Sequence, residues 1–148
     1  VGARLPRDHD VEWDVSGLAR RDATWQIQFI AVDPRKYGAE HTFTGSTSDP
    51  ATHDGNFTAT PVLTITGNRP DGYTLAGPAD LRLDVLEPLL PGSPHVIDMR
   101  DGSLRVNGET VAGGLASPIT WGIPPGVPVV HAVTEGAYIA GTVLDTDI

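Results

Sequence analysis

The stretch HVIDMRDGSLRVNGETVAG, residues 95–113, holds two turn dipeptides, Asp101-Gly102 and Asn107-Gly108, each set between short runs rich in apolar residues. Both dipeptides favour the type I′ turn, whose central residues need positive φ and whose twist matches that of paired strands. Strands joined in this way form a three-stranded antiparallel meander. The same reading extends outward on both sides. Residues 79–86 alternate Leu81, Leu83 and Val85 against Asp80, Arg82 and Asp84, the pattern of a strand with one face on a core and one in water. Residues 56–66, NFTATPVLTIT, set Leu63 and Ile65 against Thr64 and Thr66, with Pro61 marking an edge or a bulge. A short strand is expected at residues 73–75, between Gly72 and Gly77-Pro78. After Gly113-Gly114 comes an extended, proline-stiffened segment, SPITWGIPPG. Two last strands, 127–133 and 138–144, then flank Thr134-Glu135-Gly136.

Towards the N-terminus, residues 24–33 place Trp25, Ile27, Phe29 and Ala31 on one face of a half-buried strand. Asp33-Pro34 ends it, because proline lacks the N–H a ladder needs and restricts the residue before it. Gly38 is free to supply a positive φ for a following turn. The run GSTSDPATHDG, residues 45–55, has no periodicity and the composition of a loop, so residues 46–55 are read as a linker between residues 1–45 and residues 56–148. No stretch has confident helical spacing. About eight to ten short strands with regular turns predict an all-β chain, an antiparallel sandwich of jelly-roll-like type with little or no helix. No internal repeat is visible.

With 148 residues the chain is long enough for a self-supporting core. It has no cysteine, which excludes disulfides, thiolate metal sites and cysteine nucleophiles. The formal net charge is −9, and the basic residues are scattered apart from Arg20-Arg21 and Arg35-Lys36. A nucleic-acid partner is therefore not expected. No apolar run approaches the length of a membrane-spanning helix, and residues 1–14 lack the apolar segment of a signal peptide, so a soluble chain without a membrane partner is expected. A first residue of Val rather than Met points to a fragment of a longer chain.

The sequence nominates little chemistry. His9, His41, His53, His95 and His131 stand at no metal-ligand spacing from one another, and His131 reads as a packed or rim histidine. In DHDVEWD, residues 8–14, an extended chain would point Asp8, Asp10, Glu12 and Asp14 the same way. The loop glycines and spacing of a calcium motif are missing, so a solvated or partner-facing acidic edge is expected and no metal or cofactor is assigned. No nucleophile elbow, phosphate loop or zinc-helix motif occurs, and no enzymatic role is expected. Trp25 reads as core, beside Ile27 and Phe29. Trp121, among prolines, is the aromatic left open as an exposed contact.

Two stretches resemble the distal tail and minor tail proteins of long-tailed bacteriophages, especially those of actinobacterial hosts. One is ATWQIQFIAVDPRKYG, residues 23–38, with Trp25 near its start and Asp33, Pro34, Arg35, Lys36, Tyr37 and Gly38 at its end. The other runs from PVLTITG through HVIDMRDGSLRVNGE to TWGIPPG, residues 61–126, and includes Asp98, Asn107, Gly108, Pro125 and Gly126. The resemblance implies the end of a ring-forming β domain in residues 1–45 and a galectin-like sandwich in residues 56–148. It also implies a structural role at the virion's tail tip, between tail tube and tip. The partners would be further copies of itself, in a ring of hexamer type, and other tail proteins. Many relatives close with a Trp-containing strand, whereas this chain closes with GTVLDTDI. The alternative is a carbohydrate-binding module that contacts a host cell-wall glycan through an exposed aromatic such as Trp121. These readings differ in the surface they require, a patch complementary to another subunit or a cleft beside an aromatic.

Overall fold

A computed structural model describes residues 33–117 and 119–148 in full, and the backbone of four short strands in the first 32 residues. Those four are β1 (Ala3–Arg4), β2 (Val11–Asp14), β3 (Thr24–Ile27) and β4 (Ile30–Ala31). β1 pairs antiparallel with β4, and β2 with β3, setting Trp13 opposite Trp25. The remaining strands are β5 (Lys36–Phe43), β6 (Val62–Gly67), β7 (Tyr73–Ala76), β8 (Arg82–Val85), β9 (His95–Asp98), β10 (Ser103–Val106), β11 (Glu109–Thr110), β12 (Ala132–Val133) and β13 (Ala137–Asp147). The chain divides into two compact units, Val1–Lys36 and Tyr37–Ile148. The expected facing of Trp25, Ile27, Phe29 and Ala31, and the direction of the acidic side chains of residues 8–14, lie outside the described residues.

The second unit is built of two antiparallel sheets, as the period-two pattern predicts. One has the order β11-β10-β9-β6-β13-β5, the other β12-β7-β8. Alternation decides which side chains meet between them. Leu63 and Ile65 of β6, Ile97 of β9 and Leu104 of β10 are buried on the inner face of the larger sheet. Leu75 of β7 with Leu83 and Val85 of β8 are buried in the smaller one, and Leu89, Met99, Ile123 and Val129 join the same core from connecting segments. Each fully buried aliphatic side chain contributes roughly 1.5–3 kcal/mol relative to exposure.

The three-stranded meander forms, with Leu104 opposite Ile97 and Val106 opposite Glu109, and its second hairpin keeps the register a two-residue turn requires. Asn107 (φ 52°) and Gly108 (φ 86°) form the expected tight turn. The first turn differs. Ser103 pairs with Asp98, so four residues, 99–102, close the hairpin, and of the Asp101-Gly102 pair Gly102 alone has positive φ. Two carboxylates explain the longer loop, since Asp98 Oδ1 accepts the Arg100 N–H (2.9 Å) and Asp101 Oδ1 accepts the Ser103 N–H (2.9 Å), while Met99 is buried in the core. The strand expected over residues 79–86 is shorter. Pro78–Asp80 is a 3-10 turn in which Ala79 and Asp80 take left-handed φ of 53° and 59°, and pairing begins at Arg82.

Residues 46–55 are not a linker. The break falls at Lys36/Tyr37, and this stretch is woven into the sandwich. Ala51 exchanges two backbone hydrogen bonds with Val129 (2.9 and 3.0 Å), and Ala51 and His53 are buried. Ser46, Thr47, Ser48 and Asp49 form an exposed turn, as their composition predicts, but Ala51, His53 and Gly55 lie against the core, where neighbouring segments and the His53 ring satisfy the backbone. Only Ala132–Val133 of residues 127–133 joins a named strand, while β13 runs longer than expected, to Asp147.

Candidate functional site

The outer face of the larger sheet follows from the register. Since Leu63 and Ile65 point inward, Val62, Thr64 and Thr66 of β6 point outward, as do their partners Thr142, Ala140 and Tyr138 of β13. On the other side Val96 lies opposite Thr64, and Asp98 opposite Val62. Two rows therefore cross the sheet, Ala140–Thr64–Val96–Arg105–Thr110 and Thr142–Val62–Asp98–Ser103. The outward positions named on β6 and β13 carry no charge, while Asp98 of β9 and Arg105 of β10 extend the rows, and Tyr138, 71% exposed, stands at one corner. Beside them a shallow depression of about 280 Å³ is lined by Thr42, Thr44, Asp49, Thr64, Ala140 and Thr142, among others. Across β6 and β13 this outer face therefore offers threonine, valine, alanine and tyrosine, and charge begins only at Asp98 and Arg105 of the neighbouring strands.

Trp121 is not an exposed contact. It is 5% exposed, and its indole N–H donates to His131 Nε2 at 3.0 Å. Its ring covers Gly77, where an added Cβ would come within 2.6 Å of the indole. The prolines around Trp121 suggested an outer loop, but the segment folds back, with Ile123 exchanging backbone hydrogen bonds with Ala59.

Three histidines are core members. His131, 4% exposed, stacks on Phe43 with ring centroids 5.4 Å apart. Because Trp121 donates to Nε2, the ring proton sits on Nδ1, which has no partner of good hydrogen-bond geometry. Burial pushes the His131 pKa down to about 4, opposed in part by the Val129 carbonyl. His95 Nδ1 lies 3.0 Å from the Tyr73 hydroxyl across the sandwich. Burial lowers the His95 pKa, with the Pro88 carbonyl and Glu87 acting the other way, and burial raises that of Tyr73. His53 donates from Nε2 to the Ile123 carbonyl (2.9 Å) and accepts the Gly55 N–H at Nδ1 (3.2 Å). Each ring thus ties two segments distant in sequence, which explains histidine at a core position where an aliphatic residue would fill the space but leave polar groups unpaired.

A second polar cluster lies at the end of β13. His41 Nε2 and Asp145 Oδ1 are 2.7 Å apart, and the same oxygen accepts the Asp54 N–H at 2.7 Å. Asp147 Oδ1 accepts the Asn56 N–H (2.8 Å), and the Phe57 N–H donates to the Thr146 carbonyl (2.9 Å). The Asp145 pKa is lowered, first by the Asp54 N–H and also by His41. Sequence spacing gave no sign of this cluster, because its members come from three segments brought together only by folding.

The residues singled out by the resemblance do not converge on one site. Asp33 Oδ1 takes both the backbone N–H and Nε of Arg35, each at 3.1 Å, and Pro34, Lys36 and Tyr37 are exposed. Gly38 makes room for Asp145, whose Cβ would stand 3.0 Å from a Cβ added at Gly38. Asp98, Asn107 and Gly108 shape the two meander turns. Pro125 and Gly126 form a further turn, closed by the Val127 N–H on the Pro124 carbonyl (3.3 Å), with Gly126 at φ 66°. The side chain of Trp25 lies outside the described residues. These roles are structural. No protein-family model, curated protein or solved structure matches the chain.

Proposed function

We propose that this chain belongs to a structural protein of a phage tail tip and works by assembly with further copies of itself and with neighbouring tail proteins. The observation that carries this reading is the uncharged outer face of β6 and β13, in a unit that otherwise bears thirteen carboxylates against four arginines. A surface meant for water alone would spread those charges over its central strands; one that buries against another subunit avoids the cost of desolvating them. The tail-tip assignment itself rests on the resemblance of residues 23–38 and 61–126, and cyclic symmetry would close the assembly.

The glycan reading loses its aromatic contact with the burial of Trp121 and is not carried further. The test is the solution mass of the intact protein by light scattering on a size-exclusion column, beside an Ala140→Arg variant. A closed ring of about six subunits is expected, with the arginine reducing the mass or the binding of a neighbouring tail protein. An intact protein that stays monomeric at high concentration overturns the proposal.

A further inference from the structure

The His41, Asp54 and Asp145 cluster offers one imidazole nitrogen and two carboxylates from β5, the segment before Asn56, and β13, with their ligand atoms all within 4.8 Å of one another. We propose that these three side chains form a divalent-cation site of nitrogen-and-carboxylate type, suited to Zn²⁺ or Mn²⁺. Around an ion bonded at 2.0–2.2 Å, adjacent ligand atoms lie roughly 3.0–3.5 Å apart. The 2.7 Å between His41 Nε2 and Asp145 Oδ1 is slightly less than that, and the other separations reach no further than 4.8 Å. The adjustment is on the order of 1 Å, which rotation of an exposed carboxylate such as Asp54 supplies.

Several features favour an ion here over a plain hydrogen-bonded contact. The Asp54 N–H on Asp145 Oδ1 fixes the orientation of that carboxylate, as outer groups do for metal ligands. Gly38 puts no side chain beside Asp145, where an added Cβ would stand 3.5 Å from Oδ2. The whole net charge of −9 falls on residues 37–148, because the first 36 residues hold equal numbers of acidic and basic side chains. That field concentrates cations at the unit's surface. The donor set sets the preference, since Ca²⁺ takes six to eight oxygens whereas an imidazole with carboxylates suits Zn²⁺ or Mn²⁺. Bound there, the ion would clamp β5 and the segment before Asn56 to β13, in place of the single His41–Asp145 hydrogen bond.

The experiment is calorimetric titration of the metal-free 148-residue chain with Zn²⁺, and separately with Mn²⁺ and Ca²⁺, followed by thermal melts with and without Zn²⁺. Asp54→Asn and His41→Gln are measured alongside, with circular dichroism to establish folding; the exposed Asp54 side chain makes the first variant safe for the fold. One equivalent of Zn²⁺ is expected to bind and raise the melting temperature, Ca²⁺ to compete poorly, and each substitution to weaken Zn²⁺ binding at least about ten-fold. No saturable binding of Zn²⁺ or Mn²⁺ at millimolar concentration, or Zn²⁺ affinity unchanged in either variant, overturns the proposal.

Discussion

Lowering the pH should loosen the sandwich through His131. The folded protein holds this ring neutral, with its pKa pushed from 6.5 down to about 4, whereas the unfolded chain takes up the proton near 6.5. The unfolded state therefore binds more protons between these values. The stability given by a neutral His131 is complete above about pH 6.5, falls as the pH drops towards 4, and is lost below that. The whole difference is worth roughly 3 kcal/mol, of which about 2 kcal/mol is gone by pH 5, or on the order of 8 °C in melting temperature for a unit this size. His95, also lowered by burial, adds in the same direction. Urea unfolding at pH 7.5 and pH 5.0, followed by tryptophan fluorescence and circular dichroism, measures the difference. The His131→Gln variant keeps an oxygen to accept the Trp121 N–H but cannot titrate, so its loss between the two pH values should be smaller by about 2 kcal/mol. If the wild type and His131→Gln lose the same amount, the burial account of His131 is wrong.

Two substitutions test the packing and the backbone. Gly141→Ala places a Cβ within 2.4 Å of the buried Phe43 ring, so a loss of about 1–3 kcal/mol is expected in urea unfolding. Ala79→Gly relieves a left-handed alanine in the exposed turn before β8, and a gain of about 0.5–1 kcal/mol is expected in the same assay; a loss would mean the turn's geometry is not the source of strain.

Much of the fold was legible because strands and tight turns are written locally. Alternation marked Leu63, Ile65, Leu83 and Val85 as core, and all four are buried. Asn107-Gly108 needs positive φ at two consecutive residues, which few other pairs accept, so that turn could be read without knowing its surroundings. The Asp101-Gly102 reading failed because Asp98 and Asp101 bond to the backbone within the loop and Met99 reaches the core. Neither preference is visible in the dipeptide.

What the sequence by itself determined is the all-β class, the meander and the inward faces of the central strands, since each depends on neighbours within a few residues. What only the tertiary structure decided is where distant segments meet. It placed Trp121 on His131, drew Ala51 and His53 into the core, and gathered His41, Asp54 and Asp145 at the end of β13. A histidine or a tryptophan between prolines reads the same whether it faces water or a buried partner, because its hydrogen-bond mate lies ten to a hundred residues away. Burial and pairing at such positions are properties of the packed sheets, and no local pattern encodes them.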